Sequence, residues 1–96
     1  MIHIEGSFRV PDLEKARPRL EQLVRDSRAE EGCIGYYLAP DLLDPNLVCV
    51  NERWETLDAF KAHAAAEHFL DWRKTAETLG VSDRSIRLYS EAPMEL

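Results

Sequence analysis

The chain has 96 residues, 45% of them hydrophobic, which suits one small domain with a single core. Its 18 acidic residues outnumber the 12 basic ones, for a formal charge of -6, and the basic residues are scattered without forming a stripe, so nucleic acid is excluded as an expected partner. The opening "MIHIEGSFRV" shows no basic leader ahead of an apolar run, and nowhere do about 18 apolar residues run together, so the expectation is a soluble, cytoplasmic chain with no membrane partner.

In chain order, Ile2, Ile4, Gly6, Phe8 and Val10 alternate with His3, Glu5, Ser7 and Arg9, the two-residue period of a half-buried strand over residues 2–10. Pro11 stops it and Asp12 can cap a helix over residues 12–29, in which Leu13, Ala16, Leu20, Leu23 and Val24 recur at helical steps. Pro18 lacks the N–H that would bond the Glu14 carbonyl, so this helix is either kinked there or begins regularly at Pro18. Gly32 suits its end. "CIGYYLA" then predicts a strand over 33–39, "PDLLDPN" a long turn, and "LVCVNERW" a second strand over 47–54.

On that last strand Val48, Val50, Glu52 and Trp54 share one face, and Leu47, Cys49, Asn51 and Arg53 the other. Thr56 can cap a helix over 57–66, where Leu57, Ala59, Phe60, His63 and Ala64 form one broad face. A break near Ala66 and Glu67 leads to a helix over 68–79, with a stripe of Phe69, Trp72, Ala76 and Leu79 ending at Gly80. "SIRLYS" predicts a final strand over 85–90.

Strand, helix, strand, strand, helix pair, strand is the order of an α+β ferredoxin-like sandwich, a four-stranded antiparallel sheet with its helices on one face. In so short a chain the other face invites a second copy, sheet against sheet across a two-fold axis, so a homodimer through the sheet face is expected. Cys33 and Cys49 show no metal-binding spacing and read as small buried residues on neighbouring strands. A hairpin turning near Leu42 and Leu43 sets Cys33 closer to Glu52 than to Cys49, which argues against a disulfide.

The residues with the best claim to chemistry are Trp54, His63 and His68, with Glu52 and Asn51 beside them. An imidazole with an ordinary pKa of about 6.5 can take and return a proton near neutrality, and a tryptophan can stack on an aromatic ligand while offering one N–H. The plainer reading of His63 is a core or cleft-edge histidine. Glu52, on the inward strand face, needs a partner, for which Arg73 or Arg9 is the first choice, or a place at a cavity mouth. Tyr36 and Tyr37 alternate faces, so only one can line a cavity on the helix side. His63 and His68 point about 140° apart on a continuous helix, which speaks against a metal site unless the helix breaks between them. No glycine-rich phosphate loop and no serine or cysteine nucleophile pattern is present, so nucleotide cofactors and acyl transfer have no support in the sequence.

Taken together in order, "EEGCIGYYLAPDLLDPNLVCVNERWETLDAFKAHAAAEHF" resembles the antibiotic biosynthesis monooxygenase domain. The matching positions are Gly32, Cys33, Tyr36, Asp44, Pro45, Glu52, Trp54, His63, His68 and Phe69. The resemblance implies a dimeric α+β barrel with a pocket between sheet and helices. It also implies oxygenation of a small phenolic or quinol-type aromatic by dioxygen without flavin, haem or metal, the substrate's own electrons reducing the oxygen. His63 and Trp54 would then be the catalytic pair, with Glu52, Tyr36, His68, Phe60 and Trp72 around the substrate. The haem-degrading branch uses an asparagine on the first strand, where this chain has only Ile2, Ile4, Gly6 and Phe8 facing inward. The alternative expectations are a non-catalytic or protective small-molecule-binding barrel and, behind it, a haem or metal binder.

Overall fold

The alternation along the first strand is realised as β1 (Ile2–Arg9), where Ile2, Ile4 and Phe8 are buried on one side of a four-stranded antiparallel sheet. The computed structural model describes residues 1–90 and 92–96. The remaining elements are α1 (Leu13–Arg28), β2 (Cys33–Pro40), β3 (Leu47–Trp54), α2 (Leu57–Ala65), α3 (Glu67–Thr78) and β4 (Ser82–Tyr89). The sheet order is β2-β3-β1-β4 with every neighbouring pair antiparallel, the ferredoxin-like arrangement. Register places inward residues in rows across the strands. Tyr36, Glu52, Ile4 and Leu88 form one such row, and Leu38, Val50, Gly6 and Ile86 the next.

The helices cover that inward face. α1 starts where the Asp12 side chain accepts the Lys15 N–H at 3.2 Å, and it buries Ala16, Leu20, Leu23 and Ser27 along one stripe. Pro18 neither starts nor ends this helix. It lies inside it, with Pro18 and Glu14 both on the exposed side, so the carbonyl that loses its partner is one that water can reach. α2 starts with the Thr56 side chain accepting the Ala59 N–H at 3.1 Å. Ala66, at φ -68° and ψ 146°, both ends α2 and precedes α3. Its N–H bonds the His63 carbonyl at 3.0 Å, and its carbonyl accepts from Phe69 and Leu70 at 3.1 and 3.0 Å. Gly80 closes α3 in the left-handed region, at φ 73°.

Several expectations need correction. The β2–β3 connection is centred nearer Asp44 than Leu42 and Leu43, since Pro40 pairs with Val48, and a register shift between Cys33 and Gly35 sets Cys33 opposite Trp54 rather than Glu52. Cys33 is partly buried and Cys49 is exposed on the open face, so the pair is not two core residues; both thiols are free. Leu57 is exposed although it opens the α2 sequence face. β4 begins at Ser82, three residues before the alternation suggests, because Asp83 takes a positive φ of 52° beside a register shift against β1, which hides the strand start in a polar run. Leu42 and Leu43, at 99% and 95% exposure, belong to no core. The face of the sheet away from the helices carries Tyr37, Cys49 and Tyr89, all exposed in the single chain. No helix among the described residues is long and apolar enough to cross a membrane.

Candidate active site

The centre of the site is the row through Glu52 together with the last turn of α2. His63 is 2% exposed and its ring is enclosed by aromatic neighbours, with centroids 4.7 Å from Trp54, 4.8 Å from Phe69 and 5.5 Å from Tyr36. Its Nδ1 lies 2.7 Å from Glu30 Oε2. A carboxylate at that distance makes Nδ1–H the donor, so the neutral ring carries its lone pair on Nε2. Nε2 is buried without a hydrogen-bond partner, and Glu52 Oε1 is 3.9 Å away, beyond hydrogen-bond reach. Burial pulls the His63 imidazole below its ordinary pKa despite the opposing pull of Glu30, so the ring is neutral near neutrality.

Glu30 is positioned by the loop between α1 and β2. Its carbonyl accepts the Cys33 N–H at 3.2 Å, and Gly32 ties the loop to the end of β3 by accepting the Glu55 N–H at 2.8 Å. Gly32 has φ 82°, and a Cβ there would sit 2.6 Å from the Ala59 Cβ. Only glycine both takes that conformation without strain and lets α2 close onto the loop, bringing Glu30 to His63.

Glu52 is 5% exposed and accepts the Trp54 Nε1–H at 3.0 Å. Burial pushes its carboxyl up to about 7, moderated by that hydrogen bond and by the positive Arg84. Neither arginine expected beside it serves as its partner. Arg9 pairs instead with Asp44 at 2.8 Å, and the indole takes the role assigned to a cation. Tyr36, 2% exposed, has its phenol pushed upward by burial and then by the nearby Glu52 charge, so it stays a neutral donor. Tyr37 points to the opposite face under the Arg28 guanidinium, whose carbon lies 5.2 Å from the ring centroid.

A cavity of about 450 Å³ opens between the sheet and the helices, lined by Tyr36, Glu52, Phe60, His63, Phe69 and Trp72 together with aliphatic residues of the sheet. Exposed Arg73, Glu77, Arg84 and Arg87 form its polar edge. An aromatic lining with a few converging polar groups is the character of a small-molecule site. Of the residues expected from sequence, His63, Glu52, Tyr36, Phe60 and Trp72 border this cavity. Trp54 and His68 do not. Trp54 is fully buried behind Glu52, His63 and Phe60, and it meets the cavity through them. His68 borders a separate recess of about 80 Å³ beside α1. The break at Ala66 nevertheless brings its ring centroid to 6.1 Å from that of His63, with His68 Nε2 3.0 Å from Glu30 Oε1. Glu30 was missed from sequence, as was Arg84; the one available signal for Glu30 was its position two residues before the helix-terminating Gly32.

With that geometry in view, the comparisons with known proteins are specific. No curated protein matches the chain. The family model for antibiotic biosynthesis monooxygenases matches residues 1–75. A Deinococcus radiodurans protein named for the same family is 23% identical, with a TM-score of 0.93 over 100% of this chain and 97% of its own. The Pseudomonas aeruginosa protein PA3566 is 27% identical, with a TM-score of 0.82 over 96% of this chain and 94% of its own. A third structure, described as an antibiotic biosynthesis monooxygenase, is 25% identical with a TM-score of 0.83, over 97% and 100% of the two chains. A family match over three quarters of the sequence, on the fold its topology requires, means that this chain belongs to the antibiotic biosynthesis monooxygenase family.

Proposed function

We propose that the protein is a cofactor-independent monooxygenase that oxidises a small phenolic or quinol-type aromatic with dioxygen. The observation that carries this reading is the state of His63: Nδ1–H is held by Glu30, and Nε2 is left unpaired beside an aromatic-lined cavity of about 450 Å³. Such a base takes the phenol proton, and the electron-rich phenolate reduces dioxygen and forms the new C–O bond. One oxygen atom stays on the ring and the other leaves as water, so a quinol is converted to a hydroxyquinone and the substrate supplies all the electrons. Phe60, Phe69 and Trp72 pack against the substrate ring, while Tyr36 and Glu52 orient its oxygens. Trp54 acts through Glu52 as a positioning residue. A second copy covering the open sheet face completes a dimeric barrel, which sedimentation of the purified chain would test.

Oxygen uptake with a panel of hydroquinones tests the chemistry. His63→Ala is expected to lower turnover by on the order of 10²-fold, the loss typical of a general base. Uptake unchanged in that variant defeats the role of His63. Ligands that raise the melting temperature of the wild type without any oxygen consumption would point instead to a non-catalytic binding barrel.

A further inference from the structure

Two imidazoles and one carboxylate converge where the α1–β2 loop meets the α2–α3 junction. One coordinating atom from each of Glu30, His63 and His68 lies within 4.8 Å of the other two. The two Glu30 oxygens divide between the rings, Oε2 at 2.7 Å from His63 Nδ1 and Oε1 at 3.0 Å from His68 Nε2. The second contact is short but lies off the direction of a ring N–H bond, so His68 Nε2 is buried from water with no hydrogen-bond partner. A buried ring nitrogen aimed at a carboxylate yet not bonded to it is unusual unless something else belongs between them.

We propose that Glu30, His63 and His68 bind one divalent transition-metal cation of the zinc and iron(II) class. Two neutral imidazole nitrogens and one carboxylate oxygen form a donor set these ions favour, with a remaining position left for water. Ligand distances of about 2.0–2.2 Å in a tetrahedral site set neighbouring donor atoms about 3.4 Å apart. The close Glu30 contacts therefore open slightly and the widest separation closes by on the order of 1 Å, a motion open to His68, the least buried of the three. Glu30 and His63 are already fixed by the Gly32 loop and the aromatic cage. Coordination through His63 Nδ1 moves the ring's single proton to Nε2, on the side of Glu52, so the metal-bound form and the free base of the proposed reaction are alternative states of the same site.

The solvent side of His68 also favours a cation. The recess of about 80 Å³ that His68 borders is lined by Asp26 and Asp71, which outweigh the one positive charge of Arg19 there and attract a cation, with Gln22 donating to Asp26 at 2.8 Å beside them. The larger cavity is a separate space that shares only Leu23 and Trp72 with this recess, so metal and aromatic ligand have different approaches.

The test is a metal titration of the full chain and is independent of whether the protein consumes oxygen. Cobalt(II) is expected to bind one ion per chain and to develop the intense visible absorption of a four- or five-coordinate nitrogen and oxygen site. Zinc(II) is expected to displace it. Glu30→Gln and His68→Ala, both partly exposed positions, should each weaken zinc binding by at least about 10-fold while circular dichroism stays that of the wild type. Cys49→Ser should leave binding unchanged. The proposal is overturned if cobalt keeps the weak spectrum of its hydrated ion, if both ligand variants bind zinc as well as the wild type, or if Cys49→Ser abolishes binding.

Discussion

Replacing Glu52 with glutamine should stabilise the protein, and only in one range of pH. The carboxyl is buried among apolar residues and rises from an ordinary 4.5 to about 7, so the native state holds its proton more tightly than the unfolded chain does. Between those two values the native state binds more protons, and stability falls as pH rises through the window. At 1.36 kcal/mol per pH unit, the span from 4.5 to about 7 amounts to about 3 kcal/mol lost by the wild type once pH exceeds 7. Glutamine stays neutral throughout, and its side-chain oxygen can still accept the Trp54 Nε1–H. His63 titrates in the opposite sense, its depressed value removing stability as pH falls, but it is common to both proteins and leaves their difference. Urea unfolding at about pH 4 and about pH 8.5 should therefore show the variant gaining about 3 kcal/mol on the wild type at the higher pH relative to the lower. Parallel pH profiles for the two proteins would refute the reasoning, because they would mean Glu52 ionises in the fold as easily as in water.

Three further changes probe the frame around the site. Gly32→Ala should cost about 1–3 kcal/mol for the positive φ and displace α2 through Ala59, read as a lowered melting temperature together with a loss of turnover. Pro18→Ala should raise stability by about 1–2 kcal/mol, since an exposed interior helix position regains its hydrogen bond, partly offset by the freer unfolded chain; thermal unfolding would show it. Leu42→Ser should move the unfolding free energy by no more than about 0.5 kcal/mol, because that side chain stands wholly in water.

What could be read from the sequence follows from how local each signal is. Strand parity placed Glu52 and Trp54 on the inward face and left open which of Tyr36 and Tyr37 joins them, and helix periodicity turned Phe60, His63 and Trp72 inward. Parity assigns a side of the sheet but not a depth, which is why Trp54 was expected to line the cavity and instead lies beneath it. Glu30 sits in a loop with no period, and its role comes only from tertiary approach to a residue 33 positions away. The 140° between His63 and His68 holds only for an unbroken helix, and one residue of extended backbone at Ala66 removes it. Pro18 marks a real conflict between propensity and packing, which the amphipathic stripe of α1 wins.

That single residue has a mechanical consequence. The N–H of Ala66 is committed to α2 and its carbonyl to α3, while its φ and ψ bonds lie between those two attachments. Rotation about them can swing one helix against the other without breaking either cap. Phe60 and His63 ride on one side of this pivot, and Phe69 and Trp72 on the other. The spacing of the cavity's aromatic walls is thus a torsional quantity, set by the backbone angles of one small residue.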